Sequence, residues 1–326
     1  MTSFHKSLLA ISCCTLLLRT VNVVVPANPG CEPSNRRTIS LRVENKAGAT
    51  IDNLRAEDLA LFEDKTSREI LQLESKPREP LSVAILIDTS ASQERSLPET
   101  RLAAQKFVEV VMRATHDQAA IVSFTGESKI EQSLTNDLAG LRSAISRVEF
   151  VPPQGYRGGG IVVSRNPPIS SPGQVLAGST AIWDTVSSIS TGMLKAGANS
   201  RRAIVLLTDG EDTISKKKLS EAIADAARND IAIFAIGIGD TSYGGVNRDV
   251  LNKLSDETGG RAFFPKKERE LPELLAQIEQ ELQYPYLLRY CTAGPRANPA
   301  NQLSRIKVQL LRPASDLRLL YRHYGW

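Results

Sequence analysis

Leu81-Ser82-Val83-Ala84-Ile85-Leu86-Ile87-Asp88-Thr89-Ser90-Ala91-Ser92 is the stretch whose reading decides the fold. Its apolar run from Val83 to Ile87 has the pattern of a strand covered on both faces in a parallel sheet, and it stops at three small oxygen-bearing side chains, Asp88, Ser90 and Ser92. In open α/β sheets ligands bind in the crevice beyond the carboxyl ends of the strands. The polar end of this strand is therefore the first candidate site.

Working outward towards the C-terminus, Ser96-Leu97-Pro98-Glu99 fits a capping box with proline in the first turn, and Ala103, Phe107, Val110, Val111 and Ala114 share one helical face. Residues 119–124 read as the next strand, 129–134 as an edge strand and 137–148 as a helix. Residues 152–178, rich in Gly, Pro and Ser, interrupt the pattern and read as an irregular surface insertion. Helical character resumes over 180–194. Residues 203–207 form a second buried strand that ends in Thr208-Asp209-Gly210, much as the first ends in Asp88. A helix over 217–227, a strand over 231–238, a helix over 248–257, a short strand over 261–264 and a closing helix over 268–282 complete an alternating order. That order predicts an α/β fold with a doubly wound, mostly parallel sheet.

The flanks are β-like. Residues 38–44 alternate with Ile39, Leu41 and Val43 as the apolar positions, 54–62 read as a turn or short helix, 63–65 as a turn and 68–73 as a strand. Residues 286–290, 305–311 and 317–321 have strand-like composition. Pairing between these sets would bring both chain ends into a small β module beside the α/β domain. The domain boundaries expected are 1–27 for a signal peptide, 38–79 for an N-terminal β segment, 80–283 for the α/β domain and 284–326 for a C-terminal β segment.

The 326 residues are 41% hydrophobic, enough for a substantial core, and the formal charge of +4 is spread over 40 basic and 36 acidic residues. That balance gives no electrostatic case for nucleic acid or an anionic membrane as partner. At the N-terminus His5 and Lys6 precede an apolar stretch over 7–18 that Arg19 ends, the length of a signal-peptide core, and Val25-Pro26-Ala27 offers a cleavage site. A secreted or periplasmic envelope location follows, with an uncleaved N-terminal membrane anchor as the alternative. Removal of the signal leaves Cys31 and Cys291, which in an oxidising compartment can close a disulfide contributing on the order of 4–5 kcal/mol, or stand as two free thiols.

Each polar residue of the site has an ordinary structural explanation taken alone: Asp88 as a strand end, Ser90 and Ser92 as helix caps, Thr180 as an N-cap, Asp209-Gly210 as a turn. Together they are five oxygen donors expected at one sheet edge. With no His or Cys among them, Asp88, Ser90, Ser92, Thr180 and Asp209 specify a hard cation, Mg²⁺ or Mn²⁺ ahead of Ca²⁺. Two carboxylates only neutralise a divalent ion, so its remaining position would attract an Asp or Glu carboxylate from a protein partner.

Asp88-Thr89-Ser90-Ala91-Ser92 resembles the Asp-x-Ser-x-Ser signature of von Willebrand factor type A domains, whose metal-ion-dependent adhesion site is shared with integrin inserted domains. Gly178-Ser179-Thr180-Ala181 resembles the motif that supplies a threonine there, and Leu206-Leu207-Thr208-Asp209-Gly210 the one that supplies an aspartate. The resemblance implies a strand order of 3-2-1-4-5-6, metal contacts from the serines and threonine, and aspartates acting directly or through water. The flanks resemble exported proteins of the acidobacterial type, in which a β region with an "FEDG"-like stretch precedes the domain. Here Leu61-Phe62-Glu63-Asp64-Lys65 departs at its last position.

The function expected is non-enzymatic adhesion or assembly, with no small-molecule cofactor. The competing readings are a purely structural metal site and a Mg²⁺-dependent phosphohydrolase of the haloacid dehalogenase type. The latter needs Asp-x-Asp, and position 90 is Ser. The sequence also lacks an HExxH zinc site, a G-x-S-x-G elbow, a P-loop and a dinucleotide fingerprint after the first strand, and His5, His116 and His323 lie away from the motifs.

Overall fold

The computed structural model describes residues 31–325 except 48, 52, 76–79, 151, 153–177, 198–200, 242–243, 283–285, 293–303, 312–315 and 322–323. The signal-peptide reading over 1–27 and most of the insertion read over 152–178 lie outside the described residues.

The strands are β1 (Arg36–Asn45), β2 (Leu59–Glu63), β3 (Thr66–Arg68), β4 (Ile70–Ser75), β5 (Leu81–Asp88), β6 (Gln118–Phe124), β7 (Ser128–Thr135), β8 (Arg201–Thr208), β9 (Ile231–Gly237), β10 (Ala262–Phe263), β11 (Tyr286–Cys291), β12 (Ser304–Leu310), β13 (Leu317–Tyr321) and β14 (Tyr324–Gly325). The helices are α1 (Leu97–Val111), α2 (Leu138–Arg147), α3 (Ile182–Thr191), α4 (Met193–Ala196), α5 (Leu219–Arg228), α6 (Arg248–Thr258) and α7 (Leu271–Glu281).

Six strands form the central sheet in the order β10-β9-β8-β5-β6-β7. Counted from β5 as the first strand and read from β7, this is 3-2-1-4-5-6. Every residue of β5 is buried because helices cover both faces. Val83, Ile85 and Ile87 pack with Phe107 of α1, Leu141 of α2 and Leu275 of α7, whereas Ala84 and Leu86 pack with Val186 of α3, Ile223 of α5 and Leu254 of α6. Strand β5 pairs in parallel with β6 on one side and β8 on the other, with Ile85 opposite Ile121 and Val205. The chain leaves β5 for β6 and reaches β8 only later, so the ends of β5 and β8 border the point where winding reverses. Strand β7 is antiparallel to β6 at the edge, and its first three residues are exposed.

The two chain ends build a β-sandwich of two four-stranded sheets, β13-β1-β11-β4 and β14-β12-β2-β3. Its core takes Ile39, Leu41 and Val43 from β1, Leu288 and Tyr290 from β11, Leu59 and Leu61 from β2 and Ile306 and Val308 from β12. Tyr286 ties a loop to this core, donating to the Ile51 carbonyl at 2.8 Å and accepting the Leu54 N–H at 3.1 Å. A disulfide joins Cys31 to Cys291, their Cα atoms 5.9 Å apart.

Three local readings change. Leu59–Glu63 is a strand with alternating burial, because Leu59 and Leu61 answer the inward side chains of β12; only residues 56–58 take a helical turn. Ser96 precedes α1 in helical geometry and makes no side-chain capping bond, its carbonyl instead accepting from the Thr100 hydroxyl at 3.0 Å. Val110 is 47% exposed, and Ala114 is exposed beyond the last turn of the helix.

Candidate functional site

Strand β5 ends by burying Asp88 completely. The backbone turns at once: the Ser90 N–H donates to Asp88 Oδ1 at 2.9 Å, an Asx turn that reverses the chain and lifts Ser90 and Ser92 to one side. Thr89 fixes the strand end from the other side, its N–H and hydroxyl both donating to the Phe124 carbonyl at 2.9 and 3.1 Å. The neighbouring strand β8 delivers Thr208, whose hydroxyl donates to Asp88 Oδ2 at 2.5 Å, and then Asp209. Gly210 turns with φ +85°, and a Cβ there would lie 2.9 Å from Leu251 Cγ, so both conformation and space select glycine.

The two strand ends meet directly. Ser92 Oγ donates to Asp209 Oδ2 at 2.5 Å and lies 3.2 Å from Ser90 Oγ. Gln93, fully buried, donates from Nε2 to the same Asp209 oxygen at 3.0 Å, while the Glu211 N–H caps Asp209 Oδ1 at 3.0 Å. A third loop docks alongside: the Ala91 N–H donates to the Gly178 carbonyl at 3.3 Å, and the Ala181 N–H to the Thr125 carbonyl at 2.8 Å. Thr180 is buried there, its carbonyl accepting from the Thr213 and Ile214 N–H groups at 2.9 and 3.1 Å and its own N–H donating to Thr213 Oγ1 at 2.8 Å. Its backbone is thus fully engaged, whereas the described hydrogen bonds leave its hydroxyl uncommitted.

The electrostatics are unbalanced. Burial pushes the Asp88 carboxyl up to about 7, and the charge of facing Asp209 adds to it against the hydrogen bonds from Thr208 and Ser90. Among the described residues no Lys or Arg pairs with either carboxylate; the nearby Arg95 is held by Asp240 at 3.3 Å. Gln93 Oε1 is a further buried oxygen, without a hydrogen-bond partner among the described residues. The described residues hold no cluster of three or more His, Cys, Asp or Glu that could hold a metal ion, and the candidate set here is two carboxylates with hydroxyls, all oxygen and without the nitrogen and sulfur that zinc prefers. These groups fit a hard divalent cation: the charge is of the right sign, and the oxygens come from three loops.

Four supporting residues escape the motif reading. Thr208 braces Asp88, and Gln93 braces Asp209. Asp212 caps α3 from outside it, accepting the Ile182 and Trp183 N–H groups at 2.7 and 3.3 Å and the Ser215 hydroxyl at 2.5 Å. Thr213 grips Thr180 through both backbone and side chain. Thr208 sits beside Asp209 in sequence and could have been suspected; Asp212 and Thr213 act on residues about thirty positions away and leave no local signal.

Residues 83–163 and residues 174–277 each match a family model described as von Willebrand factor type A domain. No curated protein matches the chain. Among solved structures, a von Willebrand factor type A protein from Catenulispora acidiphila is 13% identical with a TM-score of 0.49, over 89% of this chain and 73% of that one. Proximal thread matrix protein 1 from the mussel byssus is 15% identical with a TM-score of 0.48, over 66% of this chain and 50% of the mussel chain, so the match spans half the mussel protein's length. BatB from Bacteroides thetaiotaomicron is 16% identical with a TM-score of 0.44, over 62% of this chain and 98% of that one.

Proposed function

Because the α/β domain of this chain belongs to the von Willebrand factor type A family, we propose that the protein is an exported, non-enzymatic module that binds a protein partner through a divalent cation. Asp88, Ser90, Ser92, Thr180 and Asp209 would hold the ion, Mg²⁺ or Mn²⁺ in preference to Ca²⁺. The observation that carries this reading is the convergence of two buried carboxylates with the Ser90 and Ser92 hydroxyls, with no cationic side chain among the described residues to offset them. When bound, the ion supplies positive charge for an Asp or Glu carboxylate of the partner. This chain's own residues do the rest: Thr208 and Gln93 fix the two aspartates, and Thr213 and Asp212 hold the Thr180 loop against them.

One further observation supports the setting. The Cys31–Cys291 disulfide suits an oxidising compartment, in agreement with the signal-like N-terminus. No helix among the described residues is long and apolar enough to cross a membrane. In this reading the role is non-enzymatic, the hydroxyls and carboxylates serving as ligands and supports for the ion.

Calorimetric titration with Mg²⁺ and Mn²⁺ is the direct test, with one bound ion per chain expected. Asp88→Ala and Asp209→Ala are expected to abolish binding while circular dichroism shows the fold retained. Undiminished Mg²⁺ binding by a folded Asp88→Ala protein would exclude this site. Selection of displayed peptides against the Mg²⁺-loaded protein tests the partner: the reading expects Asp- or Glu-bearing winners that are released by EDTA and lost on conversion of the acid to its amide.

A further inference from the structure

The departure at Lys65 from the glycine-ended stretch lies on a cavity remote in sequence from the metal-site motifs. Asp64 and Lys65 form the tight turn between β2 and β3, both left-handed, with φ of 47° and 69°. Such two-residue hairpin turns need positive φ at both central positions and favour glycine at the second. A lysine is tolerated there at a conformational cost, and the turn directs it to the rim of a cavity of about 900 Å³ on the β-sandwich.

The lining is of two kinds. Phe62 and Tyr321, both half-buried, give apolar surface, Tyr321 from a ring that also packs on the sandwich core, and Ile306 and Gln309 also line the cavity. Lys65, Arg305 and Lys307 are exposed cations, and none of the three side chains enters an ion pair among the described residues. On β12 the burial alternates, so Arg305 and Lys307 share the outer face while Ile306 and Val308 fill the core. They stand about 7 Å apart along a rigid strand, and Lys307 pairs across the ladder with Phe62. The one acid in the lining, Asp64, spends its Oδ1 on the Arg305 backbone N–H at 2.8 Å. The volume lies within the ordinary range of ligand sites, which combine apolar walls with a few convergent polar groups.

We propose that this cavity binds a short acidic saccharide, its ring faces packing on Phe62 and Tyr321 and its anionic groups meeting Lys65, Arg305 and Lys307. A pre-ordered pair of cations on one strand suits charges carried on stiff rings, since a flexible acidic peptide would lose more side-chain freedom on docking. A single-stranded nucleic acid is the less suited polyanion, because its binding tracks use successive stacking platforms along a basic groove. This site is independent of the cation reading above.

The test titrates the full chain with tetragalacturonate, a sulfated heparin tetrasaccharide, cellotetraose and an oligothymidine. The expected result is saturable binding of a carboxylated or sulfated saccharide, roughly tenfold or more tighter than cellotetraose, unchanged by EDTA or by Asp88→Asn. The tighter of the two acidic sugars identifies the anionic group. Lys307→Glu is expected to weaken binding roughly tenfold. Lys65→Gly is expected to weaken it while leaving the melting temperature equal or higher, since glycine relaxes the turn, so a loss of binding there is not a loss of fold. Equal binding of cellotetraose, preference for the oligonucleotide, or unchanged affinity in Lys307→Glu would each overturn the proposal.

Discussion

Ser92 donates to Asp209 at 2.5 Å across 117 residues of sequence, a link that is one of three side-chain hydrogen bonds, with Thr208 to Asp88 and Gln93 to Asp209, tying the two strand ends of the candidate site together. Asp88 lies beneath that link, buried beside a second carboxylate and without a counter-cation among the described residues. Asp88→Asn removes one of two mutually repelling buried charges while keeping the side chain's shape. Against that relief, one of the two oxygens that accept from Ser90 and Thr208 becomes an NH₂ donor, so the metal-free variant is expected to melt close to the parent. In the parent, Mg²⁺ at a hundredfold excess over its dissociation constant should add about 2.7 kcal/mol of stability. Thermal shift with and without Mg²⁺ reads both outcomes, and a shift retained by Asp88→Asn would count against the site.

Asp212 holds the Thr180 loop without being one of the five proposed donors. Asp212→Ala leaves the Ile182 N–H at the start of α3 without its acceptor, and the Trp183 N–H with only the Ser215 hydroxyl, which Asp212 itself orients. Losing such a cap costs about 1–2 kcal/mol. Chemical denaturation should show that cost, and Mg²⁺ affinity should fall with it because the loop is no longer pinned. Intact affinity at the lowered stability would separate the cap from the site.

Asp117 governs the other end of β5. It accepts the Leu81 N–H at 2.9 Å and the Arg113 guanidinium at 2.7 and 2.9 Å while nearly wholly buried. Burial alone would push its carboxyl up, but the hydrogen bonds from Arg113 and Leu81 outweigh it and hold it below the usual carboxylate range. An acid depressed in the folded state stabilises fully above its unfolded value, about 3.9. That contribution is lost as pH falls through the lower folded value. Asp117→Ala is expected to cost about 2–4 kcal/mol at neutral pH. The cost should shrink in denaturation curves taken at progressively lower pH below about 4.

Reduction of the Cys31–Cys291 bridge, or the double change Cys31→Ser with Cys291→Ser, should lower stability by about 2–5 kcal/mol. The bridge belongs to the β-sandwich, whereas Asp88 and Asp209 belong to the central sheet. Mg²⁺ affinity measured well below the melting transition is therefore expected to be unchanged. A parallel loss of affinity would show that the two units are coupled.

The α/β architecture is legible in the sequence because strands buried on both faces have a distinctive composition: residues 83–87, 203–207 and 231–238 admit little else. Asp88 and Asp209 stand out because each ends such a run. The bracing is another matter. Gln93 reaches a partner 116 residues away and Asp212 one 30 residues away, distances at which sequence carries no periodicity. Residues 59–63 are misread because five residues of alternation, one of them the acidic Glu63, hardly differ from a helical turn until β12 supplies the opposite half of the core. Ser96 shows that a capping residue at the right spacing does not cap when the turn before it is already helical.

The disulfide has a mechanical consequence. Cys31 and Cys291 are 260 residues apart, so all the chain between them, including β5, β8 and the three loops of the candidate site, is a closed covalent ring. Tension between the segments flanking this ring is taken up in the β-sandwich, by the S–S link and by the pairing of β12 with β2 and of β13 with β1, and has no need to run along the chain through β5 and β8. The candidate site thus lies off the covalent path that joins the two flanks, and a load on a ligand at Asp88 and Asp209 would act on the strand ends directly.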